Sequence, residues 1–173
     1  ITFNDRSKIL KKNAPWYKKL RSEDSFDDNL REKKGYSQRA LKMGDPYKWK
    51  HLAIWYGMVE TSLGRASETE LIRDSKNNIA ITLEKYLLIN GMTTEIKKAI
   101  SDLESWLRST LILTKDILPH NIVVSDKDNH LTLKIVDGLG SKSFLPFARI
   151  HDFFAKRYID RRIEQMWSRI HLD

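Results

Sequence analysis

The sequence predicts an α+β protein of two unequal parts, a strand-bearing first part and a larger, mostly helical second part. Three observations lead there. Short apolar runs lie in the first half, from Leu52 to Val59 and from Thr69 to Ile72. Later, Ile96, Ile100, Leu103, Trp106 and Leu107 recur at helical spacing, as do Ile159, Ile163, Met166, Trp167 and Ile170. Between those helical stretches, Ile122 to Val124 and Leu131 to Val136 flank a polar turn at Ser125 to His130, which is the pattern of a hairpin.

Taken in order, Arg6 to Lys12 reads as a short basic strand, broken by Asn13-Ala-Pro15. A charged helix follows over Asp27 to Leu41, with Asp27 or Asp28 as its cap and Gly35 weakening its middle. Gly44-Asp45-Pro46 is turn chemistry, and a second turn near Gly64 separates the two early strands. Asp74 to Asn78 is a loop. Thr82 caps a helix through Asn90 that Gly91 ends, and Thr93 or Thr94 caps the next, which runs to about Thr110. The tail from Phe147 to His171 is helical.

Composition narrows the class. At 40% hydrophobic residues, the 173-residue chain belongs with folded rather than disordered proteins, and its length suits one domain. It has no cysteine, so neither disulfides nor thiolate metal sites hold it, which suits a reducing cytoplasm. No apolar run approaches the ~20 residues of a membrane span, and no signal peptide is visible. The net charge of +8 favours polyanionic partners, which include nucleotides, nucleic acids and acidic membrane surfaces.

The chemistry concentrates between Asp116 and Gly140. Asp116 is followed five residues later by Asn121, on a loop between a buried helix and the hairpin, and the hairpin then delivers Asp137-Gly138. An Asp-x4-Asn loop followed by such a hairpin is the spacing of the protein-kinase catalytic loop and its metal-binding Asp. Phosphoryl transfer needs an acceptor hydroxyl held in line and a divalent cation among the phosphates. Asp116 would take the hydroxyl proton, and Asn121 and Asp137 offer the oxygen ligands magnesium prefers. Two neighbouring patterns fail: Ser141 precedes Lys142 where a P-loop has Gly, and Leu131 stands where a calcium loop has Gly. Five scattered histidines make no zinc pattern, and no Gly-x-Ser-x-Gly elbow is present.

Leu52 to Thr61, Ala80 to Glu84, Pro119 to Val123, Val136 to Gly140 and the closing basic helix resemble the YrbL-type PhoP regulatory network family, small bacterial proteins regarded as protein-kinase-like. The resemblance is diffuse and spans nearly the whole chain. It implies a minimal kinase-like fold, with residues 1–74 as an N-lobe remnant and hinge and residues 75–173 as a helical C-lobe. The nucleotide-pairing lysine then falls on Lys11, with Lys8 and Lys12 as alternatives of register, and its partner on Glu32. Leu71 and Ile72 belong to a hinge running to Asp74 that would bind an adenine edge. ATP and Mg2+ are the implied cofactors, and a protein or small molecule is the acceptor.

The chain departs from that pattern at several places. Thr114-Lys115 replace the His-Arg before the catalytic Asp, and Leu118 stands where Ser/Thr kinases keep a phosphate-contacting lysine. A glycine-rich loop would lie before Ile1. These departures keep a second reading open, a pseudokinase that regulates or scaffolds. A third is nucleic-acid binding through Lys11-Lys12 with Trp16 to Lys19 and Arg21, or through Phe153 to Arg162, although aromatics at helical spacing more often face a core.

Overall fold

A computed structural model describes residues 2–42, 44–127, 130–140 and 152–170. Among them are six α-helices and two small antiparallel sheets, an α+β architecture. The chain opens with α1 (Phe3–Asn13) and α2 (Trp16–Lys19), followed by α3 (Asp28–Tyr36). Strands β1 (Trp55–Thr61) and β2 (Gly64–Thr69) form a two-stranded hairpin. Helices α4 (Leu83–Asn90) and α5 (Thr94–Thr110) follow the short β3 (Ile81–Thr82), and α6 (Asp152–Ile170) closes the described chain. The second sheet has the order β3-β4-β5, with β4 (Ile122–Ser125) central and β5 (Thr132–Ile135) on the side away from β3.

Caps and breakers set most of these limits. Thr82 accepts a bond from the Lys85 N–H and Gly91 ends α4 at φ +67°, while Thr93 caps α5 through the Ile96 N–H. Asp27 caps α3, its carboxylate accepting from the N–H groups of Asn29 and Leu30. The expected strand at Arg6 to Lys12 is instead the body of α1. Thr2 and Asp5 form a reciprocal capping box, and the Lys, Leu and Arg that follow favour helix. The early strands also shift. Pairing runs from Trp55↔Thr69 to Thr61↔Gly64, because the turn near Gly64 brings residues 64–69 rather than 69–72 against the first strand.

One apolar cluster unites the molecule. It is built on the inward stripe of α5 (Ile96, Ile100, Leu103, Trp106, Leu107), the alternate residues Leu133 and Ile135 of β5, and Ile159, Ile163 and Met166 of α6. Leu52, held beside β5 by the Ala53 N–H bond to the Ile135 carbonyl, joins it from the first half of the chain. Trp106 is fully buried, and its indole N–H donates to the Tyr47 carbonyl at 2.8 Å. A small second cluster gathers Ala53, Ile72, Ala80 and Val123. No helix among the described residues is long and apolar enough to cross a membrane.

Candidate functional site

Two segments far apart in sequence form the walls of a cleft of about 420 Å³. Helix α3 supplies Asp28, Asn29, Arg31, Glu32 and Tyr36, and Val136 to Leu139 with Lys115 supply the other wall. Spacings of three and four put Asn29, Glu32 and Tyr36 on one face of α3. Tyr36 anchors that face, its hydroxyl donating to the Ala53 carbonyl and its ring stacked between Trp49 and Trp55.

Glycine makes the close approach of the walls achievable. A Cβ on Gly35 would stand 2.8 Å from the Leu139 carbonyl oxygen, so only glycine lets α3 approach this loop so closely. Gln38 locks the contact: its amide nitrogen donates to the carbonyls of Gly35 and Leu113, and its oxygen accepts from the Leu113 N–H.

The loop 114–121 and the end of the hairpin are bonded to each other along their backbones. Thr114 pairs with Leu139, the Lys115 N–H donates to the Gly138 carbonyl, and the Gly140 N–H donates to that of Leu113. Asn121 closes the loop on itself, its side-chain N–H donating to the Asp116 carbonyl at 3.2 Å, while its own carbonyl accepts from the Val136 N–H. Gly138 sits at φ +86°, and a Cβ there would fall 2.7 Å from the Asp116 carbonyl oxygen and 3.5 Å from the Asn121 amide nitrogen. Tyr158 on α6 holds the same loop from behind, its hydroxyl donating to the Thr114 carbonyl.

The electrostatics are those of mixed, crowded charge. Burial raises the Glu32 carboxyl above its ordinary value, and the negative charge of Asp137 adds to this against the pull of Ser67 and Lys115. Burial lowers the half-buried Lys115 ammonium and neighbouring Arg31 lowers it further, with Asp137, Asp116 and Asp28 opposing.

The sequence-predicted residues are therefore distributed as follows. Asp137 and Glu32 face the cleft; Asp116 and Asn121 lie directly behind Gly138, joined to it through the loop contacts. Lys11 lies on α1 and does not line the cleft, and Lys8 and Lys12 are exposed on the same helix. Leu71 is exposed, while Ile72 is buried in the small second cluster with its carbonyl accepting from the Ala80 N–H. Lys115 and Arg31 line the cleft without having been singled out as anion ligands. The signal for Lys115 was in plain view, a cation immediately before Asp116.

The donor set suits a hard divalent cation. Asn121 spends its amide nitrogen on the Asp116 carbonyl, so its oxygen is the atom that could bind a cation, and Asp137 offers a carboxylate whose repulsion with Glu32 a cation would offset. Among the described residues no three His, Cys, Asp or Glu side chains gather as a metal cage. Such a site would complete its shell with phosphate and water, as magnesium sites commonly do.

Fold and cleft define a small α+β protein with a charged groove between a helix and a glycine-bearing loop. Residues 5–171 match the family described as PhoP regulatory network protein YrbL, and the chain belongs to that family. No curated protein matches the chain.

Proposed function

We propose that the protein is an ATP- and magnesium-dependent phosphotransferase of kinase-like organisation, acting on a protein or small-molecule hydroxyl. One observation supports this above the rest. The Asp116-to-Asn121 loop closes through the Asn121 amide and packs its Asp116 carbonyl against Gly138, so that the loop and the carboxylate-bearing turn at Asp137 meet at one edge of the cleft. That juxtaposition is what the Asp-x4-Asn spacing needs in order to act on a bound triphosphate.

In this reading Asp137 and the Asn121 oxygen hold the cation, which when bound neutralises charge on the phosphates. Lys115 and Arg31, which line the cleft where Lys11 does not, are the cations available to the phosphate oxygens. An arriving anion would favour the charged form of Lys115, which burial otherwise disfavours. Asp116 accepts the proton of the acceptor hydroxyl as its oxygen bonds to the γ-phosphorus. The bond from that phosphorus to the β–γ bridging oxygen breaks, and the nucleoside diphosphate leaves with the electron pair.

The test is γ-phosphate transfer or ATP hydrolysis, run beside a titration with ATP and magnesium. Asp137→Ala is expected to abolish magnesium-dependent nucleotide binding. Asp116→Asn should retain binding and lose turnover by 10²-fold or more, roughly the general-base contribution. Wild-type turnover unchanged in both variants would remove the assignment.

A second reading, a pseudokinase that binds nucleotide for regulation, is favoured by Thr114-Lys115 and by the position of Lys11 on α1. It predicts magnesium-dependent binding with no transfer in the wild type.

A further inference from the structure

Helix α1 leaves much of its apolar surface exposed. It meets the turn of the β1–β2 hairpin through the Phe3 N–H, which donates to the Leu63 carbonyl, and Phe3, Ser7 and Lys11 are among its less exposed positions. Its aliphatic residues Ile9 and Leu10 are exposed, beside the exposed Lys8 and Lys12. The short α2 continues the pattern: Trp16 is 78% exposed and Leu20 82%, with Tyr17 exposed between them and Lys18 and Lys19 alongside.

The charge of this arm is as one-sided as its apolar exposure. From Arg6 to Arg21 there are seven cations and no acid. This stretch supplies +7 of the formal net charge of +8, which leaves +1 for all other residues together. Acidic residues resume at Glu23, Asp24, Asp27 and Asp28, but Asp27 is spent capping α3 and Asp28 pairs with Arg31 and Arg6. No ion pair within the described residues engages Lys8, Lys11, Lys12, Lys18 or Lys19.

We infer that residues 6–21 dock the protein peripherally on an anionic membrane surface. The lysines meet lipid phosphates, and Trp16, Tyr17 and Leu20 seat at the boundary between headgroups and acyl chains. Charge complementarity selects the anionic surface. The side-chain types select a membrane over a nucleic acid: Trp and Tyr suit the interface, lysine stems reach along apolar surface, and Ile9, Leu10 and Leu20 have no flat face on which a base could stack.

The experiment is co-sedimentation of the full chain with vesicles of phosphatidylglycerol and phosphatidylcholine in equal parts, and with phosphatidylcholine alone. Binding is expected only to the anionic vesicles and should weaken as salt is raised. Lys18→Ala with Lys19→Ala should lower partitioning about 25-fold, from the loss of two cations near the surface. Trp16→Ser with Leu20→Ser, which leaves every charge in place, should also release the protein. Both pairs are exposed, and circular dichroism melts coincident with wild type establish that the variants fold. The inference is overturned if the wild type does not bind anionic vesicles, if it binds neutral ones equally well, or if the Trp16/Leu20 variant binds like wild type. Tight binding to a single-stranded oligonucleotide in place of vesicles would overturn it in favour of a nucleic-acid surface.

Discussion

Helices α1 and α5 begin alike and are stabilised in opposite ways. In both a threonine accepts a bond from the third N–H of the helix, Thr2 from Asp5 at 3.2 Å and Thr93 from Ile96 at 3.3 Å. Yet α5 buries six side chains in the main cluster, whereas α1 buries Ser7 and leaves Ile9 and Leu10 largely in water. Capping and propensity start a helix, but tertiary packing supplies most of its stability. For α5 the packing partners lie within the chain, in β5 and α6. Among the described residues, nothing buries Ile9 or Leu10 of α1 to a comparable degree.

That contrast can be broken most severely from the α5 side. Trp106→Ala removes the largest fully buried side chain and leaves the Tyr47 carbonyl without its indole donor, so a loss of about 3–5 kcal/mol is expected in urea unfolding. A loss below about 1 kcal/mol would mean that α5 is not the structural centre.

A smaller, pH-dependent effect should come from the contact of α5 with His51. This buried imidazole stands 2.7 Å from the Leu133 carbonyl through Nδ1, and its Nε2, which makes no hydrogen bond of good geometry among the described residues, lies 3.4 Å from the Asp102 carboxylate. Burial holds its pKa below the ordinary histidine range; the Leu133 carbonyl and Asp102 oppose this, while Lys50 and Lys134 push the same way as burial. The unfolded chain therefore takes up a proton near pH 6.5 that the folded chain resists. This contribution is complete above the ordinary histidine value and declines as the pH falls from there toward the lowered folded-state value. Unfolding midpoints measured from about pH 7.5 to about pH 5 should fall more steeply for wild type than for His51→Gln. Parallel slopes would show that His51 does not titrate between the two states.

The smallest effect sharpens the other side of the comparison. Ile9→Ser with Leu10→Ser should change stability by no more than about 0.5 kcal/mol, the usual range for exposed positions. A large loss in the isolated protein would mean that these residues already pack against something within the chain.

Local chemistry made several elements legible before any coordinates. Thr82, Gly91 and Thr93 mark helix limits because a cap acts within a few residues of itself. The end of α5 was read from periodicity alone, since Leu111 takes the left-handed cap position that glycine usually fills. Arg6 to Lys12 was misread because lysine-rich segments carry little apolar period, and the deciding signal was the Thr2–Asp5 pair upstream of it. In the candidate site, Asp116, Asn121 and Asp137 stand out in the sequence because one loop and one hairpin carry them. Lys11 was placed by a loose register and lies on the wrong element to line the cleft.

By itself the sequence determined the caps, the buried stripe of α5, the β4–β5 hairpin and the acid-and-amide spacing of the central loop, all properties of contiguous residues. Only the tertiary structure decided which distant groups share a cleft. It brought Glu32 and Asp137 to one cleft, put Lys115 into the lining of that cleft, and gave Gly35 its reason as the point where α3 meets Leu139. The physical reason is that such encounters depend on how whole elements pack, and a helix face seen alone does not reveal what will stand across from it.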